Sequence, residues 1–233
     1  MSMWRIMAGL AAGMAGVLAL AQAGTVHGTI QGADGKAVGI VTVYLQGQMT
    51  DGVRASSVLG KSAKDGSITL SGVGVGTYRL CVPNGAEGYV DPCVWDASPT
   101  TVKVKANESV NAGTVPLTPS ATVALEVADE QGYLAAHEAS KIPRAALMAG
   151  VRAAHGQFVP MTLSSSSDTS RRYTASIPAG QQVRVLVQSQ DYQIAENGTS
   201  TDFTSQDRGL TAKVQPDSAG VVNELKIRVT GKR

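Results

Sequence analysis

The sequence predicts an all-β chain folded as two tandem β-sandwich domains. Three observations carry this. Val, Ile and Thr gather in short runs that alternate with polar residues. Gly, Asp, Asn and Pro punctuate those runs at regular spacing, and helical periodicity is nearly absent. Setting aside residues 1–23 leaves 210 of the 233 residues, a length that suits one large domain or two small ones.

Residues 1–24 read MSMWRIMAGLAAGMAGVLALAQAG, with Arg5 as the one charge. An apolar run from 6 to 20 follows, and Ala21 and Ala23 are small residues at the positions a signal peptidase reads. This pattern predicts a signal peptide over 1–23, cleaved before Gly24. The competing reading is an uncleaved anchor, but the run is shorter than the roughly 20 residues a spanning helix needs. No later stretch is long and apolar enough for a transmembrane span. The expected location is therefore secreted, or periplasmic and cell-envelope. Lys and Arg number 20 against 18 Asp and Glu, mixed along the chain. That excludes a nucleic-acid partner, which would need a basic stripe.

In the first domain, 24–117, alternating segments predict strands at 25–31, 39–46, 57–63, 67–71, 77–82, 100–105 and 111–117. Turns fall at 32–37, 64–67 and 72–76. Asp34-Gly35 and Asp65-Gly66 suit tight reversals, because Gly takes φ > 0 without steric cost. The segment VPLTPS (115–120) places two prolines between alternating stretches and marks the boundary. The second domain, 121–233, opens with a strand at 121–129. Its segment 173–198 follows the same order as 68–92: strand, Gly-containing turn, alternating strand, Tyr-containing loop. Val183, Val185 and Val187 take the places of Tyr78, Leu80 and Val82. The Ala-rich stretch 133–157 predicts a short helix interrupted at Pro143.

Both cysteines lie in YRLCVPNGAEGYVDPCVW (78–95). A redox pair, a metal clip, two free thiols and a structural disulfide are the alternatives. The spacing is not that of a C-x-x-C oxidoreductase. A structural zinc site needs about four ligands, and His27, His137 and His155 are scattered. In an exported chain, Cys81 and Cys93 are expected to form a disulfide, with two free buried thiols as the alternative. A bridge would close a loop of about 13 residues and contribute about 3 kcal/mol. Tyr89, Asp91 and Trp95 would then sit on a stiffened loop.

Three linked stretches carry a family resemblance: VHGTIQGADGKAVGIVTVYL, SAKDGSITLSGVGVGTYRLCV and GAEGYVDP. Through them residues 25–117 resemble a carboxypeptidase regulatory-like domain, and the second half is similar more weakly. The resemblance implies a transthyretin-like or prealbumin-like sandwich, so that the whole chain reads as two immunoglobulin-like/transthyretin-like sandwiches. Gly76 would let the chain turn before Tyr78 enters the core.

No reaction is written in these residues. No G-x-S-x-G elbow is present, and His137-Glu138 lacks a second His at metal-binding spacing. SSSSDTS (164–170) reads as a polar loop, and GVGVG (72–76) as a turn lacking the Lys-Ser/Thr ending of a phosphate loop. The expectation is a non-catalytic binding or spacer module with no cofactor and no metal, whose partner is an envelope protein or a glycan. The alternative is a carbohydrate-binding module in which Tyr89 and Trp95 form the contact surface, with Tyr44 and Tyr192 as further candidates. Aromatic content is only 4%, and burial of Trp95 would oppose that alternative, since sugars stack on exposed rings.

Overall fold

The computed structural model describes residues 23–83, 86–96, 98–153, 156–198 and 203–233. The expected signal peptide, Ala23 excepted, and His155 lie outside the described residues.

The first half runs β1 (Gly24–Gly32), β2 (Thr42–Gly47), β3 (Met49–Thr50), β4 (Val53–Arg54), β5 (Val58–Lys61), β6 (Ser67–Val73), β7 (Gly76–Cys81), α1 (Pro92–Trp95), β8 (Thr101–Val104) and β9 (Ser109–Leu117). The second runs β10 (Ser120–Ala128), α2 (Tyr133–Ala139), β11 (Met148–Arg152), β12 (Phe158–Pro160), β13 (Thr162–Ser166), β14 (Ser170–Pro178), β15 (Val183–Gln188), β16 (Tyr192–Glu196), β17 (Phe203–Gln206), β18 (Gly209–Val214) and β19 (Val222–Lys232).

Each half stacks two sheets, as the alternation predicts. In the first, β6-β1-β9 covers β5-β2-β7-β8; in the second, β13-β14-β10-β19-β16 covers β12-β11-β15-β18-β17. Alternation decides which side chains fill the space between them. Along β2, Val43 and Leu45 are buried while Thr42, Tyr44 and Gln46 are half-exposed. Val26, Ile30, Ile68, Leu70, Leu80 and Val115 complete that core.

The two halves share one plan. β1 pairs antiparallel with β6 and parallel with β9. β10 likewise pairs antiparallel with β14 and parallel with β19. The run β2-β7-β8 is matched by β11-β15-β18. The faint likeness between 68–92 and 173–198 thus marks a repeated architecture, with Tyr78, Leu80 and Val82 buried in one copy and Val183, Val185 and Val187 in the other.

Tyr78 shows how turn chemistry fixes a strand. Its ring is fully buried and its hydroxyl donates to the Gly74 carbonyl at 2.8 Å. A Cβ on Gly76 would come within 2.5 Å of the Ala55 Cβ, so the turn closes only with glycine there. Tyr78→Phe leaves that carbonyl without its donor. It is expected to lower stability by about 1 kcal/mol, read as a shift in the urea midpoint at unchanged m-value.

The halves differ after their first strand. β1 closes in a tight reversal, with the Gly32 N–H donating to the Lys36 carbonyl. The sequence likeness of EVADEQGYLA (126–135) to TIQGADGKAV (29–38), a strand running into an Asp/Gly turn, extends only through the Asp129–Gly132 turn, where the Gly132 N–H donates to the Asp129 carbonyl. The chain then enters α2 instead of a hairpin. The buried Asp129 carboxylate accepts the N–H groups of Tyr133 and Leu134 at 3.0 and 2.7 Å, satisfying the helix's first donors. α2 ends before Pro143, and its Glu138 pairs with the buried Arg171 on β14 at 3.0 Å.

Candidate functional site

The segment 82–96 leaves the end of β7 and returns to the joint between the two sandwiches. Its geometry begins with Asp91-Pro92. Asp is a favoured N-cap residue, and Pro at the first helical position already has the required φ. One helical turn, α1, therefore forms. Asp91 Oδ1 accepts the Cys93 N–H at 2.9 Å and the Val82 N–H at 3.3 Å, tying the turn to the strand end. The Cys81–Cys93 disulfide adds a covalent tie, with Cα atoms 5.2 Å apart. Donor atoms of Cys81, Asp91 and Cys93 lie within 4.8 Å of one another. Both sulfurs are consumed by the bridge, however, and a thiolate is what a metal would need.

The far side of the segment bonds to the linker. The Val90 N–H donates to the Thr118 carbonyl at 3.0 Å, and the Ser120 N–H to the Gly88 carbonyl at 2.8 Å. The Thr118 hydroxyl donates to Asp96 at 3.4 Å. Tyr89 bridges to Pro119. Val90 and Trp95 then pack in the core cluster of the second sandwich, with Val123, Leu125, Val151 and Val185 among its members. They are 2% and 5% exposed. A loop of the first sandwich thus supplies two core residues to the second.

Tyr89 and Trp95 therefore have different environments. Trp95 is buried, because its large apolar ring gains most from leaving water, and its face is no open stacking platform. Tyr89 is half-buried and leans on Gly32, where an added Cβ would collide with the Tyr89 hydroxyl. Both residues line a cleft of about 520 Å³ between the segment and the second sandwich. Asp91 and Pro83 share their wall; Thr122, Thr174, Ser176 and Pro160 form the other. Thr122 and Ser176 are cross-strand partners on β10 and β14. Among the described residues the cleft gathers one carboxyl group, hydroxyls and apolar rims, and its lining has no His, Lys or Arg.

Burial raises the carboxyl of Asp91 above its ordinary value of 3.8; the nearby Asp96 adds to this, and the two N–H donors oppose it. Burial likewise raises Asp96, against the Thr118 hydroxyl. A carboxyl whose pKa is higher folded than unfolded holds its proton more tightly in the native state. Its burial is best tolerated when protonated, and stability falls as pH rises from 3.8 through the folded value. Asp91→Asn keeps an acceptor for both N–H groups and removes the charge. Relative to the parent chain, its melting temperature is expected to rise on passing from acidic to neutral pH, and Asp91→Ala to cost about 1 kcal/mol by loss of the cap.

The two described histidines, His27 and His137, do not cluster. His27 Nδ1 lies 3.4 Å from the Ser109 hydroxyl. His137 is buried, with Nε2 at 2.9 Å from the Arg144 carbonyl and Nδ1 at 3.3 Å from the Tyr192 hydroxyl. Tyr192 in turn stacks on Tyr133 at 5.8 Å between centroids, and Arg144 pairs with Asp191. Tyr192 is a core residue of the second sandwich, 5% exposed, rather than a surface counterpart of Tyr89. Sequence reading missed Val90, Asp96 and Thr118 as parts of the joint. The Asp-Pro step was the available signal for α1, whereas nothing local marks a residue that packs in another domain's core.

Fold and joint together define a tandem β-sandwich protein in which a disulfide-stapled loop of one sandwich completes the core of the next. No protein-family model matches the chain, and no curated protein matches it. Among solved structures it is similar to a streptococcal ancillary pilin, at 13% identity over 91% of this chain and 63% of that one, with a TM-score of 0.40. It is also similar to GBS52, the minor pilin of Streptococcus agalactiae, at 10% identity over 90% and 97%, with a TM-score of 0.39. A DUF3823 family protein from Parabacteroides merdae aligns at 15% identity over 72% and 91%, with a TM-score of 0.31. The chain thus spans less than two thirds of the ancillary pilin's length. No helix among the described residues is long and apolar enough to cross a membrane.

Proposed function

We propose that this protein is a non-catalytic module, exported to the cell envelope or beyond, that spaces and presents binding surfaces on two coupled sandwich domains, 24–117 and 121–233. The observation that carries the reading is the placement of Val90 and Trp95 in the second core. A loop stapled to one body and buried in the other resists bending at the joint, which suits a spacer. The residue pattern over 25–117 supports placing the first domain with the carboxypeptidase regulatory-like sandwiches, a family informative for fold more than for chemistry. The partner is an envelope protein or a glycan.

A second reading, carbohydrate binding, draws on the cleft beside Tyr89, where hydroxyls of Thr122, Thr174 and Ser176 face an aromatic residue. Tyr89→Ala should then abolish binding to immobilised envelope glycans without lowering the melting temperature by more than a few degrees. Retained glycan binding in that variant removes this reading.

The spacer reading is tested on protein recovered from its natural export route. Intact mass should lack residues 1–23 and show one disulfide by reduction and alkylation. Small-angle scattering should fit a single arrangement of the two domains. An uncleaved leader, or a curve that requires a broad spread of interdomain separations, contradicts it.

A further inference from the structure

The outer face of the β12-β11-β15-β18-β17 sheet carries a row of three cations. Arg152 on β11 stands directly opposite Arg184 on β15, and Arg184 directly opposite Lys213 on β18. All three are exposed, while their strand neighbours Val151, Val183, Val185, Ala212 and Val214 are buried on the other face. Among the described residues no carboxylate lies within ion-pair distance of any of them. The Arg152 guanidinium donates to the Gly156 carbonyl at 2.8 Å, which anchors it at one rim.

Like charges placed directly opposite each other destabilise a sheet. Two such juxtapositions in one row set up a repulsion that an anion held between them would relieve. The chain's total is nearly balanced, 20 against 18, so the row is a local concentration and not a general excess. Neighbouring strands lie about 4.8 Å apart, so three side chains on adjacent strands span about 10 Å at their bases. Long, flexible stems let their tips converge. The three cations, with Gln181 and Gln182 just before β15, line a pocket of about 300 Å³ whose lining, among the described residues, includes no acidic side chain.

We propose that this pocket binds a phosphate ester carried on a saccharide. Arg184, at the centre of the row, offers paired N–H donors that match two oxygens of a tetrahedral oxyanion. Arg152 and Lys213 flank it and neutralise the remaining charge. The side-chain amides of Gln181 and Gln182 donate to and accept from sugar hydroxyls, which a bare phosphate lacks. The pocket volume suits a ligand of monosaccharide size. The inference goes beyond the spacer reading and stands on the second sandwich alone, so either can fail without the other.

The test is titration of the isotope-labelled full chain at low salt with glucose 1-phosphate, inorganic phosphate and glucose, followed by amide chemical shifts. Saturable shifts are expected at Arg152, Gln182, Arg184 and Lys213 with glucose 1-phosphate. Inorganic phosphate should bind about tenfold more weakly, glucose should leave the row unmoved, and raising the salt should weaken binding. Arg184→Gln should lower the affinity for glucose 1-phosphate about tenfold or more while shifts elsewhere in the spectrum show the fold intact; Lys213→Gln should act in the same direction. The proposal is overturned if the row shows no saturable shift, if glucose or inorganic phosphate binds as well as glucose 1-phosphate, or if Arg184→Gln binds like the parent chain.

Discussion

Trp95→Ala is expected to lower stability by about 3–5 kcal/mol, the range for removing a buried large aromatic side chain from a core that cannot collapse around the gap. The side chain is 5% exposed and belongs to the cluster that includes Val123, Leu125, Val151, Val185 and Leu225. The loss should be felt in the second sandwich although the residue comes from the first half of the chain. Hydrogen exchange separates this from a local effect. Amides of β10, β14 and β15 should exchange faster in the variant, while those of β2 and β7, whose core is made by Val43, Leu45, Tyr78 and Leu80, stay protected. Trp95→Phe, which keeps most of the apolar ring, should cost much less. If β2 and β7 lose protection instead, Trp95 serves the first body and does not join the two.

Replacing both cysteines by serine carries the second large effect. The bridge spans a sequence separation of 12 residues, and its removal restores freedom to the unfolded loop worth about 3 kcal/mol in the chain-entropy account. It also releases the covalent anchor of α1, which does not depend on Asp91. The segment 83–91 should become a site of proteolytic nicking. Because the bridge and Trp95 act through the same segment, their effects should not add. In a Trp95→Ala background, loss of the bridge should disturb β10 and β14 far less than it does in the parent chain. Full additivity would mean that the bridge stabilises β7 alone.

The sequence was informative where a local pattern has one structural meaning. Alternation of Val, Leu and Tyr with polar residues reads as a half-buried strand in any context, so β1, β2, β7 and β10 fall within a few residues of the expected segments. The repeated order of strand, Gly turn and strand pointed to a second sandwich of similar topology, and β10 indeed pairs with β14 and β19 as β1 does with β6 and β9. Other features depend on contacts between distant residues. Trp95 has the same local neighbours whether it lies over its own disulfide or in the next domain. The choice is made by the apolar core of the second sandwich, next to which the segment is held by its bonds to the linker at Thr118, Pro119 and Ser120. The cation row was equally hidden, since Arg152, Arg184 and Lys213 become neighbours only through sheet register. The one-turn helix α1 could have been read from Asp91-Pro92.

Coupling of the two sandwiches through the stapled loop is the claim on which the rest depends, and amide ¹⁵N relaxation tests it most directly. Measured on the oxidised chain, residues of β2 and β7 and residues of β11 and β15 should report one common rotational diffusion tensor. Two distinct tensors, each with the faster tumbling of a body half the size, would show that the sandwiches move independently and that the buried indole does not join them.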